Sequence, residues 1–399
     1  MLAVIETHPI QYHAPVYRAL QTSHGVPVTA IYASDFSVAG YRDREFGATF
    51  RWDTDLLSGY GAEFLSRVAE GGAPDADAAT TDGLRAALRR IAPDAVLVTG
   101  YSPAFHRSAW FEAWRTGRPV LFRGEASDLA RSRTWLRDRV RRFGLGIAYR
   151  SCARVLYIGA QARSHYEALG VPAERLVFSP YCVDVTPFVV GEDARTRLRA
   201  STRATLGIDD DRLVWLYSGK LSARKGVDLI VRAVRELPEP LRARVTLLFL
   251  GDGGERDALA ALAAAAPSVP ALFVGFKNQR ELSAYYHAAD LLLLPSRHSE
   301  TWGLVVNEAL HHGVPCVVSD QVGCAADLVV AGVTGAVARA DSVSDLARAA
   351  ASVCGLAGRP ATRDACRRHV ASYSVDTAAA GIADAYRSIT GPNRVARSA

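Results

Sequence analysis

Leu213-Val-Trp-Leu-Tyr-Ser-Gly-Lys-Leu-Ser-Ala-Arg-Lys-Gly226 is the stretch on which the fold is read. Its first five residues form a continuous apolar run of strand length, and the amphipathic stretch Gly226–Glu236 follows the loop. A short strand apolar on both faces, followed at once by a helix, is the unit of a parallel sheet covered on both sides. The unit recurs along the chain. Strands are expected at Leu2–Glu6, Val28–Tyr32, Ala95–Thr99, Val120–Phe122, Arg154–Ile158, Leu176–Ser179, Val245–Leu250, Ala271–Val274, Leu291–Leu294 and Pro315–Ser319. Helical periods fall at Glu255–Ala265, Arg280–Ala288 and Leu304–His312. So many strands exceed one comfortable doubly wound domain, and two are expected. The break is placed near Tyr181–Arg195, where Pro180, Pro187 and the charged run Gly191-Glu-Asp-Ala-Arg interrupt the alternation. This gives an N-terminal domain over 1–185 and a C-terminal domain over 189–376.

The composition agrees. The chain has 399 residues, 49% hydrophobic and 22% charged, which excludes long disorder and low-complexity scaffolds and leaves room for two domains or more. A formal charge of +6 is too mild for an obligate nucleic-acid binder and suits an anionic small substrate. The six cysteines show no CxxC spacing and read as buried small hydrophobes. Met1-Leu-Ala-Val-Ile-Glu reads as a first strand rather than a signal peptide, and no run reaches the roughly 18 apolar residues of a membrane span. A soluble, cytoplasmic protein is expected.

Among 47 basic residues only three are lysine, Lys220, Lys225 and Lys277, and two of them fall in the loop quoted above. Ligands of open α/β sheets bind at the carboxyl ends of strands, where helix amino ends and backbone N–H groups face anions. Two ammonium groups on such a loop suit a diphosphate; a solvated basic loop is the alternative. A second stretch, Pro295-Ser-Arg-His-Ser-Glu300-Thr-Trp-Gly-Leu-Val-Val-Asn-Glu308, puts Glu300 at a strand's carboxyl end and Glu308 about one and a half turns inside the next helix. They are too far apart to share a proton. They can accept hydroxyls from two parts of one extended ligand, while the helix start near Gly303 faces a phosphate. A helix-entrance glutamate plus a surface glutamate is the plainer alternative. No Asp-x-Asp stands at a strand end; Asp209-Asp-Asp211 precedes its strand. No metal or cofactor is expected.

These two stretches resemble the retaining family-4 glycosyltransferases of the GT-B fold. Phe249-Leu-Gly-Asp-Gly-Gly254 is similar to the family's glycine turn, and Phe273-Val-Gly-Phe-Lys-Asn278 with Leu282–Asp290 to the stretch that holds the nucleobase. Gly313–Asp320, Gly323–Val329 and Gly332–Gly335 resemble the run after the second glutamate, and Tyr181-Cys-Val-Asp184 with Phe188 the interdomain segment. The match is dense from about 213 to 336 and weak over the first 150 residues. The resemblance implies two Rossmann-like domains, doubly wound parallel sheets facing across a cleft, with a last helix at about 377–390 returning to the first domain. It implies a hexosyl transfer from a nucleoside diphosphate sugar, most commonly UDP-linked, to a hydroxyl with retention and without metal. Lys220 and Lys225 would neutralise the diphosphate, and Glu300 would face the sugar's hydroxyls. Glu308 would take the ribose, and backbone at Phe276 and Lys277 the base. Gly219, Thr301, Trp302, Gly303 and Leu304 would line the donor. No carboxylate nucleophile of the glycosidase kind is evident. Same-face attack with the leaving phosphate accepting the proton is the implied route. An epimerase or hydrolase on the same fold, or a non-catalytic nucleotide-sugar binder, stands as the alternative.

The N-terminal half departs from the family pattern. Thr7-His-Pro-Ile-Gln-Tyr-His13-Ala-Pro15 has no Gly-Gly turn and offers His8, Gln11, Tyr12 and His13 at a strand end. They meet the acceptor or form a turn. Where relatives carry a histidine for the sugar's primary hydroxyl, this chain has Arg123 and then Glu125, with His106 as a further candidate. Ala130–Arg154 holds eight arginines and one aspartate interleaved with Trp135, Leu136, Val140, Phe143, Leu145 and Ile147. It is a basic amphipathic helix that covers a core, or rests on the inner face of an anionic membrane near a lipid-linked acceptor. A glycan or a small molecule is equally open as acceptor; nucleic acid is not expected.

Overall fold

The computed structural model describes residues 1–42, 49–50, 52–101, 104–125, 135–265 and 269–391. Residues 126–134, which include the start of the basic segment at Ala130, and the tail, 392–399, lie outside the described residues.

Two parallel sheets carry the fold. The first contains β1 (Leu2–Glu6), β2 (Val28–Tyr32), β5 (Gly61–Phe64), β6 (Ala95–Val98), β7 (Val120–Arg123), β8 (Arg154–Tyr157) and β9 (Leu176–Phe178) in the order β5-β2-β1-β6-β7-β8-β9. A short antiparallel pair, β3 (Tyr41–Arg42) and β4 (Thr49–Phe50), stands apart. The second sheet runs β12-β11-β10-β13-β14-β15, from β10 (Leu213–Ser218), β11 (Val245–Leu250), β12 (Ala271–Gly275), β13 (Leu291–Leu294), β14 (Cys316–Ser319) and β15 (Gly335–Ala338). Both sheets reverse their winding direction, between β1 and β6 and between β10 and β13. A crevice opens at the carboxyl ends of strands at such switch points.

The apolar runs explain the strands. Every residue of β1, β6, β11, β13 and β14 is buried, because helices cover both faces. All eleven expected strands form within a residue of their predicted ends. Sequence reading missed β5 and β15, short strands of small or mixed residues that are only partly buried, together with the two-residue β3 and β4. The run Gly191–Arg195, expected as linker, is the start of a helix, Glu192–Leu206, with Glu192 and Asp193 favourably placed at its amino end. The last helix, Val375–Thr390, packs on Ala14–Thr22 and on β8 and β9 of the first sheet. There Gly381 touches the chain so closely that a Cβ would stand 1.9 Å from the Phe178 carbonyl oxygen. All six cysteines are free thiols. Among the described residues no helix is long and apolar enough to cross a membrane.

Candidate active site

The loop after β10 turns at Gly219 (φ 139°), and Lys220 follows. Gly251 at the end of β11 lies against it, where a Cβ would come 1.9 Å from the Gly219 oxygen. Only glycine admits that approach, so the two loop backbones form one floor. Lys225 closes a short 3-10 turn, Ala223–Lys225, ahead of the helix Val227–Arg235. After β13 the chain passes Ser299, a non-glycine at φ 59°, one residue before Glu300. Gly323 N–H donates to the Glu300 carbonyl at 2.9 Å and clamps that turn. Strain held by surrounding bonds is common where a side chain must be aimed.

These two strand ends meet. Lys225 Nζ forms an ion pair with Glu300 Oε2, which also accepts from Ser296 Oγ at 2.8 Å. The Lys225 and Glu300 side chains are 13% and 11% exposed, so the pair is largely shielded yet reachable. Gly303 (φ 100°) opens the helix Leu304–His311, whose second turn carries Glu308. Glu308 is buried; Tyr286 OH donates to its Oε2 at 2.7 Å, and Tyr12 OH approaches Oε1 at 3.5 Å. Burial pushes its carboxyl up to about 7, against the hydrogen bonds from Tyr286, Gln279 and Tyr12.

A cavity of about 280 Å³ lies between the domains. Its C-terminal wall includes Gly219, Lys220, Phe276, Lys277 and Glu308, and its N-terminal wall His8, Gln11, Tyr12 and Trp52. Lys277 is held by Glu281 at 3.4 Å and stands 5.5 Å from the Tyr285 ring centre, whose contact raises its ammonium pKa. The carboxylamide oxygen of Gln11 is buried without a protein partner. His8 receives a bond from or gives one to Thr7 Oγ1 at 2.9 Å, and burial pushes its imidazole down to about 4. Eight expected site residues, Gly219, Lys220, Phe276, Lys277, Glu308, His8, Gln11 and Tyr12, therefore share one cavity.

Other expected site residues are placed differently. His13 is buried, with Nδ1 at 2.7 Å from Glu6 Oε1 and its ring stacked 5.7 Å from Tyr181. Burial works to raise the Glu6 carboxyl, but the charge and hydrogen bonds of His13 and Tyr17 hold it below the usual value. His13 thus braces the core of the first switch point rather than meeting an acceptor. His106 is buried beside Thr99 at 3.4 Å, and burial lowers its imidazole pKa. Arg123, one of the candidates for a sugar contact, turns inward. Its guanidinium is buried and donates to Ser179 Oγ at 3.0 Å and to the Pro180 carbonyl at 2.8 Å, tying β7 to the interdomain segment. Glu125 remains at the cleft. Its carboxylate accepts from Tyr181 OH and, across the cleft, from Thr301 Oγ1 at 2.6 Å. Trp302 also departs from the donor-lining expectation. Its ring is buried, its indole N–H donates to Asn307 Oδ1 at 2.8 Å, and a Cβ on Gly159 would strike it at 2.3 Å. It fills the seam between domains, where Asp327 accepts the Ala160 N–H at 2.9 Å. Leu304, beside Trp302 and Gly303, begins the Glu308 helix.

Sequence reasoning missed Trp52, Gln279, Tyr286 and Ser296 as site residues. Tyr286 and Ser296 fall inside stretches already singled out, next to the groups they orient. Trp52 has no sequence signal: it reaches the cavity from a distant loop, 6.3 Å from the Phe276 ring. Among the described residues no group of three or more His, Cys, Asp and Glu gathers as metal ligands would.

Comparison with known proteins bears on this geometry. The family model "Glycosyl transferases group 1" matches residues 199–383. The D-inositol 3-phosphate glycosyltransferase of Nocardia farcinica is 32% identical over 240 residues, 57% of this chain and 50% of that protein. The chain spans about half the length of the curated relatives it matches. Sucrose-phosphate synthase of Thermosynechococcus elongatus superposes with a TM-score of 0.70 at 17% identity, over 97% of this chain and 98% of that one. Anabaena HepE, solved in complex with UDP and glucose, superposes with a TM-score of 0.66 at 19% identity, over 97% and 100%. At such identities the two structures speak for the fold, which is GT-B. Residues 199–383, which carry Lys220, Lys225, Glu300 and Glu308, are the part of that fold that matches the glycosyl transferases group 1 model.

Proposed function

We propose that this chain is a retaining glycosyltransferase that moves a sugar from a nucleoside diphosphate sugar, a UDP-sugar foremost, to a hydroxyl without a metal ion. The observation that carries the reading is the meeting of the two strand ends of the second sheet: the Lys225–Glu300 pair beside a cavity lined by Lys220, Lys277 and Glu308. In this reading Lys220 and Lys225 stabilise charge that builds on the leaving diphosphate, a gain realised in the transition state. Glu300, oriented by Ser296 and Lys225, accepts hydroxyls of the sugar. Glu308 accepts the ribose hydroxyls, which replace the distant Tyr12 contact. The leaving phosphate takes the acceptor's proton on the same face. The UDP and glucose bound in HepE support UDP as the first donor class to test.

A thermal-shift panel of UDP, GDP, ADP, TDP and their sugars on the wild type and Lys225→Ala tests the site. At ligand about 100-fold above Kd, binding adds about 2.7 kcal/mol to native stability. One nucleotide stabilising the wild type and not the variant supports the reading; no shift with any of them overturns it. Donor consumed without any acceptor, or activity abolished by chelator, would replace transfer or metal independence respectively.

We also propose that the helix Trp135–Ser151 rests on anionic lipid. Val140, Phe143 and Ile147 on it are 67%, 69% and 51% exposed, whereas Leu145 faces the core. Apolar side chains among arginines suit a membrane interface. Flotation with anionic vesicles, lost in Phe143→Ser/Ile147→Ser, checks this; unchanged flotation removes the proposal.

A further inference from the structure

A second cavity, about 1430 Å³, lies at the amino end of the first sheet, away from the cleft. Its position follows from the strand starts. Arg118 stands two residues ahead of β7, Arg154 opens β8, and Arg175 stands one residue ahead of β9. Because Val155 pairs with Leu176, Arg154 and Arg175 fall side by side. Arg118 precedes the neighbouring strand, whose Leu121 pairs with Arg154, and lines the same cavity. The last helix adds Arg387, and Trp110 and Trp114 complete the wall.

Like charges set beside one another on neighbouring strands destabilise a sheet. Carboxylates would ordinarily relieve this, yet among the described residues none pairs with Arg118, Arg154 or Arg175. Asp94 feels Arg118 only at longer range and is already engaged by the N-terminal amino group and Tyr386. Arg387 meets an exposed Asp384 at 3.8 Å and donates to the His24 carbonyl. The guanidiniums are nevertheless fixed. Arg118 donates to the Leu88 carbonyl at 2.8 Å, Arg154 to Ala153 at 2.8 Å and Arg175 to Arg150 at 2.7 Å. Each such bond occupies one of five N–H donors in a planar fork whose geometry matches phosphate oxygens. Trp110 lies 5.2 Å from the Phe122 ring and so belongs to the core, while Trp114 is 68% exposed at the cavity mouth.

We propose that this cavity binds a phosphate-bearing anion carrying at least two negative charges, held by Arg118, Arg154 and Arg175. The site is separate from the transfer reaction and does not rest on it. Calorimetric titration with inorganic pyrophosphate tests it. The cleft is removed from the measurement by working in the full chain with Lys220→Ala/Lys225→Ala. That protein is expected to bind pyrophosphate, and adding Arg154→Gln/Arg175→Gln is expected to abolish the binding. Identical titrations with and without the arginine substitutions, or no binding in the lysine variant at all, overturn the proposal. Without pyrophosphate, Arg154→Gln/Arg175→Gln should melt no lower than its parent, since repulsion is relieved. A fall in Tm with binding unchanged would make the arginines purely structural and also overturn it. Should the glutamine variant fail to fold, Arg154→Lys/Arg175→Lys keeps both charges and loses the forks. Several-fold weaker pyrophosphate binding is then expected, and unchanged affinity counts against the site. Phosphatidic acid vesicles, compared with phosphatidylcholine, identify the source. Vesicle binding lost with the arginines means a lipid headgroup; vesicle binding kept while pyrophosphate binding is lost means a soluble phosphate compound.

Discussion

The two sheets wind in the same way, and their switch points have been filled in opposite ways. At the end of β10 and β13, Lys220, Lys225 and Glu300 stand where a ligand can reach them. At the end of β1, Glu6, His13 and Tyr17 turn on one another and are buried. Topology supplies a crevice in both places. Both crevices hold a paired charge, and they differ in access: the Lys225 and Glu300 side chains keep 13% and 11% exposure beside the cavity, the His13 and Glu6 side chains 8% and 2%. To the cavity at the cleft the first domain gives His8–Tyr12 and Trp52, and Glu125 bridges to Thr301.

This contrast can be broken at several points. The largest effect is expected at the second switch point, where Lys225→Ala should lower kcat by about 100- to 1,000-fold while circular dichroism stays unchanged. Wild-type kinetics in that variant would remove the diphosphate assignment.

Glu308 comes next, because its carboxyl is pushed up to about 7. Burial favours its neutral form. The stability this gives is complete below the unfolded value of 4.5 and is lost as pH rises through about 7. Donor binding has the opposite sign, since the ribose hydroxyls need the carboxylate. Donor KM should climb about tenfold per pH unit below that value. Glu308→Gln should raise KM and flatten the profile; a variant that keeps the wild-type slope would place the titration elsewhere.

The first switch point should respond in stability instead. Arg123→Ala removes a buried cation with bonds to Ser179 and Pro180, and should cost about 2–3 kcal/mol in urea unfolding. Lost turnover at unchanged stability would return Arg123 to the sugar. The smallest effect is expected where the domains touch. Thr301→Val deletes the bond to Glu125 and should weaken closure by about 1 kcal/mol, seen as a several-fold change in donor KM. No change would make that bridge incidental.

How far the site could be read in advance follows from its locality. Lys220, Lys225, Glu300 and Glu308 sit within short strand-loop-helix units, and each unit carries its own signal: an apolar run, a glycine, a polar group at the strand end. The first domain offered polar residues at strand ends too. Sequence could not separate His13 and Arg123, which face inward partners, from Tyr12 and Glu125, which reach across the cleft. Their partners, Tyr181 and Thr301, lie 56 or more residues away from Glu125. Trp302 looked like part of the donor motif because it lies inside it; its ring fills the interdomain seam.

Sequence by itself determined the local conformation, because strand burial, helix period and glycine turns act over a few residues. It therefore set the two parallel sheets, nearly all their strands and the four charged residues at the second switch point. Tertiary structure alone decided which polar groups are buried and which are exposed. Burial and pairing depend on residues distant in the chain, and they turned the first switch point into scaffolding. The same long-range placement brought Trp52 to the cavity. It also left three arginines around one cavity at the amino end of the first sheet, where strand register, invisible from any one segment, set Arg154 beside Arg175 and the cavity wall brings in Arg118.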